Sequence, residues 1–232
     1  MRKLYFLAFG VFIILGMAGC EKATVTSQAS VDTFIKSIRS PKDTSHIVYT
    51  AIHSVFSYNL IASASVVEPG GTTLQLSDVD KTGLSFYNVP ADSTYSITLP
   101  ILGTYVYTVT FKDKEVITYN NSLSSSTIQP PIITSLVQSA NTDSVYISWK
   151  AISNAQAYQL RVTKGGNQVY FQAPFADSST PPRAVLRLGY AKSSFTSNGS
   201  GTYTFEVDAM LFETTDYTYL QAMGSSKQNI DL

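Results

Sequence analysis

The stretch "GTYTFEVDAM", residues 201–210, decides the fold class of this chain. Its apolar and polar residues alternate, with Tyr203, Phe205, Val207 and Ala209 set against Thr204, Glu206 and Asp208. Successive side chains of a β-strand point to opposite sides, so a period of two predicts a strand with one apolar face. Such a strand is typical of a sheet that packs on one side and meets solvent on the other.

Two earlier stretches repeat this pattern. "SVYISWK" (residues 144–150) and "AYQLRV" (157–162) alternate in the same way, with Val145, Ile147 and Trp149 in the first and Tyr158, Leu160 and Val162 in the second. The following "KGGNQ" (164–168) is typical of a hairpin turn. Turn signals recur roughly every ten residues and amphipathic helical runs are scarce, which predicts an all-β chain built from β-sandwiches.

The order of these aromatic residues resembles the fibronectin type III pattern from Ile128 to Leu232. Pro130 and Pro131 precede the strand that ends in Trp149, Tyr158 follows, and the strand containing Tyr203 comes later. The resemblance implies that Trp149 and Tyr158 pack across the core of a sandwich and that the later strand faces them. Two features depart from the family: residues 173–198 are longer than usual, which predicts an insertion, and "LFETTDYTYL" (211–220) replaces a Gly-rich turn.

The N-terminal half is less regular. "TYVYTVTF" and "EVITYN" read as strands joined by the charged turn 112–114. Residues 31–62 fit a helical period in part, but their β-branched and aromatic content favours strands. This half resembles the immunoglobulin-like domains of bacterial surface lipoproteins. The Ser-rich "SLSSSTIQPP" (122–131) indicates a boundary, so we predict two tandem β-sandwiches, immunoglobulin-like over 31–127 and fibronectin type III-like over 128–232.

The chain begins with Arg2 and Lys3, an apolar run over residues 4–18, and small residues, which is the layout of a secretory signal. The run is shorter than the roughly 20 apolar residues of a membrane-spanning helix. Met17, Ala18, Gly19 and Cys20 resemble the lipobox of bacterial lipoproteins, although Leu is more common where Met17 stands. The resemblance implies that residues 1–19 are removed as a signal peptide and that Cys20 receives a diacylglycerol.

Cys20 is the only cysteine, so no disulfide framework is available. Residues 20–30 are polar and predict a lipidated, flexible tether. We therefore expect a protein anchored in the cell envelope through lipid on Cys20, at the outer membrane of a Gram-negative bacterium, with the leaflet left open. The alternative is a plain signal peptide with an incidental cysteine, or a short anchor helix.

The charge composition of the chain limits the kinds of partner that the protein can bind. Without Arg2 and Lys3 the chain has 14 basic and 16 acidic residues, a net charge of −2. Nucleic-acid binding requires a clustered basic surface, so we expect no nucleic-acid partner. Charged residues make up only 14% of the chain, and uncharged polar residues and tyrosines take their place, which suits an extracellular β-sheet protein.

The sequence offers little for catalysis. His46 and His53 are the only histidines, and Cys20 is assigned to lipid. Two histidines seven positions apart on one strand would point to opposite faces, so they are not expected to share a zinc ion. We predict a protein that is not an enzyme and needs no cofactor. A hydrolase with an unrecognised carboxylate pair is the less favoured alternative, since the fold can assemble such pairs.

"DVDKTG" (78–83) is the one candidate for a metal. Asp78 and Asp80 echo the first half of a calcium loop, in which oxygen ligands alternate before a glycine turn. Position twelve of such a loop is Val89 instead of the required Glu. A polar β-turn explains the stretch equally well.

The candidate ligand-binding residues are aromatic. Phe212, Tyr217 and Tyr219 belong to the stretch 211–220, which we predict to join the last two strands at one end of a sandwich. Aromatic faces there would stack on a glycan or anchor a surface protein. The alternative is that they cover the end of the core. We expect a ligand-binding protein or an accessory of a surface transporter or adhesion complex, and a structural spacer is the alternative.

Overall fold

The computed structural model describes residues 26–140, 143–176, 185–196, 199–213 and 218–232. These residues are almost entirely β-structure, which confirms the predicted all-β class. The strands are β1 (Ala29–Arg39), β2 (Ile47–Ser57), β3 (Ile61–Val67), β4 (Thr73–Gln75), β5 (Ser85–Asn88), β6 (Gly103–Phe111), β7 (Val116–Leu123), β8 (Ile132–Gln138), β9 (Ser144–Lys150), β10 (Ala157–Lys164), β11 (Asn167–Phe175), β12 (Val185–Ala191), β13 (Thr202–Phe212) and β14 (Leu220–Asp231). Two short helical turns, Asp92–Thr94 and Ser193–Thr196, accompany them. Among the described residues, no helix has the length and apolar character needed to span a membrane.

Residues 31–62, which the sequence left ambiguous, form strands. β1, β2 and the first two residues of β3 occupy most of this range, as the β-branched and aromatic content favoured. β1 begins at Ala29, inside the segment that we predicted as tether.

A seven-stranded sheet joins the two halves of the chain. Its order is β11-β10-β13-β14-β1-β2-β5. β1 runs parallel to β14, with Ile35 beside Ala222 and Ile38 beside Ser225, whereas the other neighbours in the sheet are antiparallel. The first and last described strands therefore form the centre of one sheet. The division of the chain at residue 128 stays a prediction.

Two smaller sheets, β4-β3-β6-β7 and β12-β9-β8, pack side by side on one face of the seven-stranded sheet. Ile35 belongs to the core under the first small sheet and Ala222 to the core under the second. Paired residues of neighbouring strands point to the same side, so both cores lie on the same face, which we call the inner face.

The second core confirms the packing that the fibronectin type III resemblance implied. Trp149 of β9 lies 5.7 Å from Tyr158 of β10, measured between ring centroids. Phe205 of β13 is fully buried in the same core. The Tyr158 hydroxyl accepts a hydrogen bond from the Ile152 backbone N–H at 2.6 Å, which satisfies its polar end. The aromatic rings of this core are therefore buried, and the Tyr158 hydroxyl keeps a hydrogen-bond partner there.

The linker between the halves crosses the inner face between the two small sheets. Ser37 Oγ of β1 donates to the Ile128 carbonyl at 2.5 Å, and Ser226 Oγ of β14 donates to the Pro131 carbonyl. Gly224 makes room for this crossing, because a Cβ at that position would lie 2.6 Å from the carbonyl carbon of Gln129. The linker is therefore fixed to both central strands.

The opposite, outer face of the sheet is partly covered by residues 89–95. β5 ends at Asn88, and the chain returns to the sheet edge at Ser96, whose backbone N–H donates to the Tyr49 carbonyl at 3.0 Å. Between these points Asp92 reaches Lys227 of β14 at 2.8 Å. The segment therefore spans one end of β2 and β1, and the remainder of the outer face is left to the site described next.

Candidate ligand-binding groove

The outer face of the seven-stranded sheet carries an apolar cluster. Its buried members come from β1 and β2 in the first half of the chain and from β10, β13 and β14 in the second: Phe34, Ile52, Ala157, Met210, Phe212 and Met223. A sheet face that meets only solvent is normally polar. The cluster therefore marks a part of the outer face that is built to be covered.

An open groove of about 530 Å³ lies over this cluster. Val79, Tyr87 and Val89 stand along one wall, and Phe171 and Pro174 of β11 stand along the other. The volume falls in the range of roughly 300–1,000 Å³ that is usual for ligand sites, which are also mostly apolar. Methionine adapts its shape to a bound group, so Met210 and Met223 suit a floor that receives a ligand.

Four charged side chains form a buried network beside the groove. Lys36 Nζ lies 3.0 Å from Glu206 Oε1, and Arg161 lies 3.5 Å from Asp208 and 3.7 Å from Glu206. Ser225 Oγ also donates to Asp208. Burial by itself would raise the pKa of Glu206, but Lys36 and Arg161 hold it below its usual range. Burial, together with the neighbouring Glu206, raises the pKa of Asp208.

This network corrects one expectation. The alternation over 201–210 predicted that Glu206 and Asp208 face solvent. They do lie on the outer face, but Glu206 is only 8% exposed and Asp208 is fully buried. Two cations balance two carboxylates, which is how buried charge is tolerated. Arg161 also lines the groove, so the network forms one of its polar borders.

Asp32 provides a second polar group in the groove. Its Oδ2 accepts the Leu220 backbone N–H at 3.0 Å, whereas its buried Oδ1 has no hydrogen-bond partner among the described residues. Burial raises the pKa of Asp32 to about 7, and the negative charge of Glu213 adds to the effect. The carboxyl group therefore changes its charge near neutral pH, inside the site.

The predicted aromatic residues do not form one surface. Phe212 lies in the floor of the groove and is only 7% exposed. Tyr219 lines a separate cavity of about 240 Å³ with Tyr119 and Glu213, and its hydroxyl accepts from Ser30 Oγ at 3.3 Å. Tyr217 lies outside the described residues. The stretch does join the last two strands, as predicted.

The calcium candidate forms a turn. Asp78 Oδ1 accepts the Thr82 backbone N–H at 3.2 Å, and Oδ2 accepts the Gly83 N–H at 2.9 Å. Asp80 lines the groove, and Asp78 does not. Within the described ranges no three His, Cys, Asp or Glu side chains are grouped closely enough to hold a metal ion.

The two histidines lie in different environments. His46 is exposed, and its Nδ1 lies 2.7 Å from Asp43 Oδ2. His53 is fully buried on the inner face, where its ring lies 5.0 Å from that of Tyr105. Burial lowers the pKa of His53 to about 4. Cys20, the predicted lipid attachment residue, lies outside the described residues.

The sequence contained one overlooked signal for the groove. In β1, Phe34 and Ile35 are adjacent apolar residues, and so are Ala51 and Ile52 in β2. Adjacent apolar residues in a strand indicate that both of its faces are covered. Ile35 and Ala51 lie in the core under the first small sheet. Their neighbours Phe34 and Ile52 lie in the outer-face cluster.

Comparison with known proteins gives distant structural likenesses only. No protein-family model matches the chain, and no curated protein matches it. It is similar to a solved tetra-tandem repeat from the extending region of a large adhesion protein, with 12% identity and a TM-score of 0.30, over 88% of this chain and 50% of that one. It is also similar to a two-domain fibronectin type III segment of chicken tenascin, with 14% identity and a TM-score of 0.28, over 77% of this chain and 92% of that one. This chain thus spans half the length of the adhesion-protein structure, and TM-scores this low give no information about function.

Proposed function

We propose that this protein is a non-enzymatic, lipid-anchored protein of the bacterial cell envelope that holds a partner in the outer-face groove. The supporting observation is the buried apolar cluster on that face, which both halves of the chain build and which lies beneath an open groove. A sheet face with no role in binding would not need Phe34, Met210 and Met223 at these positions.

The lining of the groove favours an apolar ligand group. Its floor is aliphatic, methionine and phenylalanine, and its walls carry two aromatic rings, Phe171, which is 47% exposed, and the half-buried Tyr87. Glycan sites usually offer open aromatic faces for stacking, whereas Phe34 and Phe212 are buried in the floor. The favoured partner is therefore a protein that inserts apolar side chains, which suits an accessory of a surface transporter or adhesion complex.

The anchor belongs to the same proposal. A diacylglycerol on Cys20 would leave only residues 21–26 before Ser27, which is 2% exposed and bonded to Glu115 and Asp113. A coil of six residues has a mean reach of roughly 13 Å. The groove would then stay close to the membrane, at the outer membrane in this proposal. Mass spectrometry of protein from its native host tests this: a lipid adduct on an N-terminal Cys20 is expected, and a free thiol with residues 1–19 attached would contradict it.

Photo-crosslinking in living host cells tests the groove. A crosslinking residue at Phe171 or Val89, on opposite walls, should give one and the same discrete adduct. The matched control is Val116 on β7, which is 58% exposed and does not line the groove. The adduct should disappear when Met210 is changed to Glu in a variant that still folds. Equal adducts from all three positions, or none, would contradict a binding groove, and absence of any adduct would favour the structural spacer.

A further inference from the structure

Three turns meet at one end of the N-terminal half of the chain. They are the β2–β3 turn (residues 58–60), the turn at 78–83 and the β6–β7 turn (112–115). The backbone N–H of Lys112 donates to the Leu60 carbonyl at 2.9 Å, which holds the first turn against the third. The first residue of β3 donates its backbone N–H to the last carbonyl of the 78–83 turn at 2.7 Å, which adds the second turn. We call this set of turns the tether end.

The N-terminal segment of the chain enters the fold at the tether end. The Ser27 backbone N–H donates to Glu115 Oε2 at 2.9 Å, and its Oγ donates to Asp113 Oδ2 at 3.1 Å. Ser57, directly before the β2–β3 turn, donates its Oγ to the Gln28 carbonyl at 2.5 Å. The residues that precede Ser27 must therefore leave the fold from this end.

The tether end also exposes large apolar side chains. Tyr58 is 91% exposed, Leu60 is 53% exposed and Phe56 is 41% exposed. The Tyr58 ring stands edge-on to that of Phe56, with 5.1 Å between the ring centroids. Leu60 packs beside Gly83, where an added Cβ would lie 3.3 Å from the Leu60 side chain. Single exposed apolar residues need no explanation, but a group of them at one turn indicates an interaction surface.

The charge of the tether end limits what this surface binds. Its basic residues are matched by acidic ones on the same turns: Lys81, Lys112 and Lys114 against Asp78, Asp80, Asp113 and Glu115. Attraction to anionic lipid would require an excess of positive charge. The contact must therefore be apolar, with the lysine side chains around it keeping their amines in water.

The short tether identifies the partner. Residues 21–26 span at most roughly 20 Å when fully extended. With the lipid anchor proposed above, on which this inference rests, the rings of the tether end stay within that distance of the lipid headgroups. Tyrosine suits this depth, because its ring is apolar and its hydroxyl stays hydrated. We infer that the tether end rests on the bilayer, with Tyr58 and Leu60 inserted at the boundary between headgroups and acyl chains.

Tryptophan fluorescence on vesicles tests the contact without the native lipid. Cys20 is the only cysteine, so residues 20–232, which include every described residue, can be coupled through its thiol to a maleimide lipid in phosphatidylcholine vesicles. Bromine atoms on the acyl chains quench a tryptophan that they touch. Trp149 is the only tryptophan and is fully buried, so its emission should stay unquenched and report that each variant is folded.

Tyr58→Trp places a reporter at the tether end. Its added emission should fall roughly twofold in brominated vesicles, because an inserted side chain reaches the beginning of the acyl chains. The matched control is Ile97→Trp, at a residue that is 72% exposed and follows Ser96. Ser96 pairs with Tyr49, which lies roughly 27 Å along β2 from Ser57. The reporter at Ile97 should therefore not be quenched.

Two further variants in the Tyr58→Trp background locate the contact. Leu60→Asp should abolish most of the quenching, whereas Phe171→Asp in the groove should leave it unchanged. Adding phosphatidylglycerol should change little, because the tether end has no excess of positive charge. Equal quenching at positions 58 and 97, quenching at neither, or quenching that requires phosphatidylglycerol would overturn the inference. A free Cys20 thiol in the native protein is a separate failure, that of the anchor, because the vesicle experiment supplies its own attachment.

Discussion

The two faces of the seven-stranded sheet are made by the same strands but differ in what covers them. On the inner face two small sheets bury apolar side chains such as Ile35 and Phe205. On the outer face the short segment 89–95 and a network of paired charges lie beside an apolar cluster under an open groove. The inner face is therefore the source of stability. Beyond the segment 89–95, the outer face buries apolar surface without a covering sheet. This difference is the reason that we propose it as the binding face.

The largest loss of stability is expected when a large side chain is removed from the inner face. Trp149→Ala should lower the free energy of unfolding by about 4 kcal/mol, because it removes a fully buried ring that packs on Tyr158. Ile132→Ala on β8, where the side chain is 40% exposed, should cost less than about 1 kcal/mol. Urea denaturation of both variants measures the contrast. Similar losses in both would contradict the assignment of the core.

The second-largest loss of stability is expected when the buried charge network on the outer face is broken. Lys36→Met leaves Glu206 without its nearest cation and should cost about 3 kcal/mol at neutral pH. The pKa of Glu206 is lowered in the folded protein, so its stabilisation exists above its ordinary pKa and disappears as the pH falls. The gap between Lys36→Met and the unaltered protein should therefore close in acid.

The matched control for the network is Lys227→Met. Lys227 pairs with Asp92 at 2.8 Å, but both side chains are about 40% exposed, so the loss should stay below about 1 kcal/mol. Denaturation curves at two pH values compare the variants. A loss in Lys36→Met that does not change with pH would show that the cost arises from packing and not from charge.

The smallest effect is a pH dependence of stability, to which Asp32 on the outer face and His53 on the inner face contribute with opposite signs. On the outer face, the pKa of Asp32 rises to about 7, so its neutral form is favoured and its stabilisation is lost as the pH climbs from 4 to 7. On the inner face, the pKa of His53 falls to about 4, so its stabilisation exists above its ordinary pKa and is lost as the pH falls to 4. The two dependences oppose each other between pH 4 and 6.5.

Asp32→Asn removes the pH dependence that comes from Asp32 and leaves the one that comes from His53. As the pH falls from 6.5 to 4, the variant should lose about 2 kcal/mol more stability than the unaltered protein, because Asp32 no longer offsets the loss from His53. Thermal or urea unfolding over a pH series measures the two profiles. Identical profiles would show that Asp32 does not titrate near neutral pH.

The sequence predicted what local patterns determine. The alternation in β9, β10 and β13 placed Trp149, Tyr158 and Phe205 in one core, and the hairpin at Gly165 and Gly166 is present, with positive φ angles of 57° and 84°. Both angles suit glycine and the twist of a two-residue hairpin. These features depend on neighbours in the chain, so a short window is enough to find them.

The features that depend on distant partners escaped prediction. Nothing local to Ile35 specifies Ala222 as its neighbour in a parallel pair. Glu206 and Asp208 are buried because Lys36 and Arg161 arrive from other strands. The groove itself combines Phe34 and Ile52 with Met210 and Met223, so it exists only through the same long-range pairing.

The pairing of β1 with β14 is the central claim, because it makes the groove a single surface. Native-state hydrogen exchange at residue resolution tests it directly. The amides of residues 35–38 and 222–225 that bond across this pair should exchange as slowly as those between β13 and β14. Fast exchange of these amides, at the rate of exposed loops while β13 and β14 stay protected, would mean that the halves separate and would contradict this account.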